Sequence, residues 1–97
     1  MDDKTKNMLI VAMEECAEIA QACSKSIRFG LENHHPNKSP IETHKDEIMT
    51  EYYQLQSIIE ELQLEHTLPY YTENRIYAIK KDKINKVNRH YKENKNK

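Results

Sequence analysis

Met13-Glu14-Glu15-Cys16-Ala17-Glu18-Ile19-Ala20-Gln21-Ala22 interleaves three carboxylates with small and apolar side chains, and contains neither proline nor glycine. Followed outward, the pattern becomes regular. Leu9, Met13, Cys16, Ala20, Cys23 and Ile27 alternate four and three residues apart, the spacing of one stripe on an α-helix. Glu14, Glu18, Gln21 and Lys25 fall on the opposite side, with Glu15 on the flank. The stripe predicts a helix from about Thr5 to Phe29, stopped by Gly30, which enters left-handed geometry most easily. Cys16 and Cys23 lie on it and read as small core residues. About two turns apart, they are too distant for a disulfide within the helix, and no C-x-x-C pair points to zinc.

Residues 31–45 are polar, include Pro36 and Pro40, and read as a loop in which His34 and His35 are solvated. A second helix is expected from Ile41 or His44 to Glu65, with Ile48, Tyr52, Leu55, Ile59 and Leu62 as its apolar stripe. Tyr52 reads as core, and Tyr53 as packing between copies. Pro69 closes this helix, since proline disfavours helical geometry in the residue before it. Residues 72–92 form the third helix, with Thr72 as cap and a thinner stripe of Ile76, Ile79, Val87 and Tyr91. The expected architecture is all-α: one domain over residues 1–93, a helical hairpin plus a third basic helix, and a disordered tail at 94–97. Only 37% of the 97 residues are hydrophobic and 32% are charged, so a monomer buries little. Two or four copies are therefore expected to build a four-helix-bundle-type core.

The net charge of -1 conceals an asymmetry. Residues 1–74 carry fourteen acidic and six basic side chains, and residues 75–97 carry two and nine. A basic segment of this kind meets phosphate, nucleic acid, or the acidic remainder of its own oligomer. The start of the chain has no apolar signal region, and no run is long enough to span a membrane. The expected compartment is soluble and reducing, the cytoplasm.

The chemistry rests on the acids. Glu15 and Glu18 are three apart on the first helix; Glu47, Glu51 and Gln54 fall within roughly a 60° arc of the second, at ~100° per residue. Two such helices face to face would offer oxygen ligands to a hard divalent cation. Carboxylates on solvated helix faces are the plain alternative, but the first cluster has few close basic partners to offset its repulsion.

The run from Met13 to Ala22, continued by Lys25-Ser26-Ile27-Arg28-Phe29-Gly30, resembles the first helix of MazG-like nucleoside triphosphate pyrophosphohydrolases, in particular small phage-type and bacterial members. That all-α superfamily also includes dimeric dUTPases and dCTPases. Its signature is E-E-x-x-E followed, after a loop, by E-x-x-D. The resemblance covers residues 8–30 well and 44–64 fairly, and the third helix only in its basic character. It implies Mg²⁺, with Mn²⁺ an alternative ion, held by Glu15, Glu18 and Glu51. Gln54 stands where the signature has Asp, which removes one negative charge from the cage. Glu47, one turn before Glu51, or Glu14 is a candidate to replace it, the alternative being weak binding of the ion only with substrate phosphates present. The interval between the motifs is also longer than usual. The implied activity converts a nucleoside triphosphate to monophosphate and pyrophosphate, with Glu14 or Glu15 deprotonating water. Lys25, Arg28, Lys83 and Lys86 are the candidate phosphate contacts. Two rivals remain: a degenerate, non-catalytic oligomeric binding module, favoured by Gln54, and a nucleic-acid-binding protein using the basic helix. The acidic first three-quarters of the chain argues against the second.

Overall fold

The computed structural model describes residues 1–34 and 42–95, the last of them by its backbone alone. Three helices follow one another, α1 (Asp3–Phe29), α2 (His44–Leu64) and α3 (Glu73–Lys95), and no strand occurs among the described residues. None of the helices is long and apolar enough to cross a membrane. The expected tail at 94–97 begins inside α3, and its last two residues lie outside the described ones, as do His35 and Pro36–Pro40.

Local chemistry sets the helix ends. Asp2 caps α1 by accepting from the Thr5 amide at 2.6 Å. Gly30, at φ 93°, ends it, and its amide donates to Ser26 at 2.8 Å. Thr43 and Asp46 form a capping box at the start of α2, each side chain accepting from the other's backbone amide. The end of α2 differs from expectation. His66 takes the left-handed conformation (φ 62°), Thr67 donates to the Leu62 carbonyl and His66 to that of Gln63. This is a Schellman turn, so the helix stops before Pro69 could act. Thr72 accepts from the Arg75 amide at 3.2 Å and caps α3 as expected.

α1 and α2 pack against each other as an antiparallel hairpin. Lys4 near the start of α1 pairs with Glu65 just beyond the end of α2, and Lys25 near the end of α1 with Glu47 near the start of α2. The packed face of α1 carries Thr5, Met8, Ala12, Glu15, Ile19, Ala22 and Ser26; that of α2 is centred on Glu47, Glu51, Leu55, Ile58 and Leu62. Among the described residues only Ala22 and Leu62 are buried apolar side chains.

Each packed face is turned from the stripe expected for it. On α1 the rotation is one residue, about 100°. Cys16 and Cys23, expected in the core, are exposed, and so are Met13 and Ile27. Tyr52, also expected in the core, is 43% exposed, while Glu51 turns toward α1. Both helices have apolar residues on two adjacent faces, and α1–α2 packing uses only one of them.

α3 packs against neither other helix, and every residue from Glu73 to Asn94 is exposed. The Cα radius of gyration is 17.0 Å, against about 13 Å for a compact chain of this length.

Candidate metal centre

The rotation of the packed faces is what assembles the acids. Glu15 shares its face of α1 with Ile19 and Ala22, so packing the apolar pair on α2 carries the carboxylate into the helix contact. Glu18 follows one turn later, on the edge. From α2, Glu51 arrives between Leu55 and Glu47. One carboxylate oxygen from each of Glu15, Glu18 and Glu51 lies within 4.8 Å of the others. Two sequence-distant clusters thus meet at one place.

Three carboxylates this close repel, and two features relieve them. With its amide nitrogen turned toward the acids, Gln54 donates to Glu15 Oε2 at 3.2 Å and to Glu51 Oε2 at 2.8 Å. The second is a retained proton. The hydrogen bond Glu51 makes with Glu18, its partial burial, a further hydrogen bond with Glu15 and the negative charge of both push the Glu51 carboxyl up to about 7. At pH 7 the Glu51 carboxyl therefore keeps its proton about half of the time. All its donors are oxygens, or in Gln54 an amide that can present one, which is the ligand set of a hard cation such as Mg²⁺ rather than of zinc or copper.

The other expected site residues are placed differently. Glu14 is exposed, about 100° round α1 from Glu15. Glu47 is buried, with Lys25 Nζ 3.5 Å from its Oε2 and His44 Nδ1 3.7 Å from its Oε1. Expected as a fourth carboxylate, Glu47 thus faces a lysine and a histidine one turn away from the cluster. Lys25, expected at phosphate, is the half-buried partner in that pair. His44 packs its ring 6.2 Å from that of Phe29. Arg28 lies over the Phe29 ring at 5.2 Å. Lys83 and Lys86 are on α3, away from the hairpin, and Lys86 pairs with Asp82 at 3.0 Å.

The Lys25–Glu47–His44 group is the feature that reading the sequence missed. Its signal was available: in an antiparallel hairpin turning at residues 30–43, positions near the end of α1 lie opposite positions near the start of α2. A lysine and a glutamate at such positions are partners before they are ligands.

Compared with protein families, with characterised proteins and with solved structures, the chain gives no match.

Proposed function

We propose that the protein is a Mg²⁺-dependent nucleoside triphosphate pyrophosphohydrolase, working as a homo-oligomer whose bundle core a second copy completes. The observation that carries this is the convergence of Glu15, Glu18 and Glu51 from two helices to within 4.8 Å. Evenly solvated helix faces would keep such acids apart or pair them with lysine. Lys25, the nearest lysine along α1, is engaged by Glu47 instead. The resemblance of the two acidic motifs to those of MazG-like enzymes points the same way.

In this reading Glu15, Glu18 and Glu51 hold the ion, and Gln54 turns its amide oxygen inward when Glu51 gives up its proton. Bound there, Mg²⁺ supplies positive charge against the triphosphate oxygens and the departing pyrophosphate. Glu14 or Glu15 accepts a proton from water as the water oxygen bonds to the α-phosphorus. The bond from that phosphorus to the α,β-bridging oxygen breaks, leaving a nucleoside monophosphate and pyrophosphate. Arg28, about 15 Å further along α1 than Glu18, is the remaining phosphate contact expected within the hairpin. Lys83 and Lys86, on the unpacked α3, would serve a site on another copy.

One observation favours a second reading. Gln54 already bridges Glu15 and Glu51, and an amide that satisfies the acids without an ion is what a non-catalytic binding module would retain.

Pyrophosphate release from a panel of nucleoside triphosphates, with Mg²⁺ and with a chelator, separates the two. The enzyme reading expects metal-dependent release that Glu15→Gln and Glu18→Gln each reduce at least about a hundredfold, as loss of a transition-state charge contact does. No release by folded wild-type protein, with Gln54→Asp raising metal affinity, would establish the binding module.

A further inference from the structure

We infer that α3 is an exchange arm: its apolar face seats on the exposed α1 strip of a second copy of this chain, and its lysines meet that copy's acidic surface. The inference draws on the oligomeric part of the reading above and not on the chemistry at Glu15.

The face itself comes first. Ile76, Tyr77, Ile79, Ile84 and Val87 fall within about 160° of the helix circumference, at ~100° per residue. They are between 38% and 65% exposed, although an amphipathic helix of this length normally buries such a stripe. Lys81 and Lys86 border the arc on either side. Lys80 and Lys83 lie within it, where their alkyl stems extend the apolar surface while the ammonium groups reach its rim.

The receiving surface is the stripe that α1 does not use against α2. Met13, Cys16, Ala20, Cys23 and Ile27 cover about 80° of α1 with no charged residue among them, and all five are exposed. At its far end the strip opens into an apolar groove lined by Cys23, Ile27, Leu31 and Ile48.

The occupant follows from charge, area and direction. Residues 1–74, with fourteen acids and six bases, are left eight charges negative; residues 75–97, with two and nine, are left seven positive. Two α3 helices facing each other would set like charges together, whereas α3 on a hairpin nearly cancels them. The chain exposes 8071 Å², while a compact monomer of its size would expose about 5,800 Å². The surplus of roughly 2,200 Å² per chain exceeds the ~800 Å² per partner of an ordinary stable interface. Nor does α3 turn back onto its own hairpin. Thr67 and Leu68 both donate to the Leu62 carbonyl through their backbone amides, and the Gln63 side-chain Nε2 donates to the Pro69 carbonyl at 3.2 Å. Leu68, Pro69, Tyr71 and Ile76 line a groove with Ile59 and Gln63.

Sedimentation velocity of the full chain, over a range of protein concentrations at low and high salt, tests the arm. Wild type should associate, less tightly at high salt. The Ile84→Glu, Val87→Glu double variant should associate at least about tenfold more weakly, the scale of losing one buried apolar anchor. Its circular dichroism should be unchanged, because these side chains pack on neither α1 nor α2. Position is read by oxidising a Val87→Cys variant, which should cross-link to Cys16 or Cys23 of a second copy, as located by peptide mapping. Wild type that stays monomeric overturns the inference. So does association that the double variant leaves untouched, which would preserve the oligomer and dismiss the arm. Cross-links joining only position 87 to position 87 would overturn it in favour of α3–α3 pairing. A monomer that binds DNA or RNA with steep salt dependence would assign the basic face to nucleic acid instead.

Discussion

Binding of a divalent cation should expel a proton, and the amount should depend on pH in a way that Glu51 fixes. Its carboxyl is held at about 7, against 4.5 for an ordinary glutamate, by hydrogen bonding to Glu18, partial burial and hydrogen bonding to Glu15. Such a group carries about 0.9 proton at pH 6, 0.5 at pH 7 and 0.1 at pH 8. Three carboxylates around Mg²⁺ require Glu51 ionised, so occupancy releases that proton and apparent affinity rises about tenfold from pH 6 to pH 8. Isothermal titration in buffers of differing ionisation enthalpy measures the release directly, as the slope of apparent enthalpy against buffer enthalpy. Glu51→Gln should remove both the slope and most of the affinity.

The same group sets a stability trend without metal. A carboxyl whose folded value is raised binds more protons in the folded state between pH 4.5 and 7. Stability is therefore full below that window and is lost as pH rises through about 7. Complete conversion of the shift would give about 3 kcal/mol. Solvent reaches this half-buried cluster, which reduces the expected loss to about 1–2 kcal/mol. Urea unfolding at pH 5 and pH 8 should show that decline in wild type, a flattened profile in Glu51→Gln, and recovery at pH 8 on adding Mg²⁺. Proton release that is equal at pH 6 and pH 8, or Mg²⁺ affinity that survives Glu51→Gln, would refute the assignment of ion and proton to one site.

Two further predictions concern the hairpin. Leu62 has no exposed surface, so Leu62→Ala should cost about 2–4 kcal/mol in urea unfolding; a loss below about 0.5 kcal/mol would mean that the α1–α2 contact is not where the stability lies. Glu47→Gln removes the carboxylate facing Lys25 and His44 and should destabilise by about 1–3 kcal/mol. Calorimetry should find its Mg²⁺ affinity within about threefold of wild type, and a tenfold loss would return Glu47 to the ligand set.

Much of the fold was legible because helix boundaries are written in short-range chemistry. Gly30 and Thr72 act where the sequence places them, and α2 begins at His44, one of the two expected starts. The faces were not legible in the same way. On α1, Met8, Ala12, Ile19 and Ala22 form one apolar row, and Met13, Cys16, Ala20 and Cys23 form another 100° round the helix. Periodicity finds both without saying which meets α2 and which is left for other contacts. On α2 the ambiguity lies between Tyr52 and Glu51. Burying the tyrosine would have satisfied the hydrophobic pattern, yet the glutamate turns inward. The residues of the candidate site could thus be named from their motifs, while their convergence depended on a rotation that only tertiary packing decides.

That rotation has an energetic consequence that ties the two proposals together. A hairpin packing on its Met13–Ile27 strip would bring an uncharged row of side chains into the contact and hold Glu15 in solvent. The chain instead places three carboxylates in and beside the helix contact, with Leu62 as the only fully buried large side chain among the described residues. It leaves its uncharged strip outside. Both choices cost stability in the lone protomer, and each cost has a different remedy. In the two proposals, a cation would offset the repulsion among Glu15, Glu18 and Glu51 on one side of α1, and a second copy would cover Met13, Cys16 and Ile27 on the other. The arrangement that is poor for a monomer suits a protein that works assembled and with an ion bound.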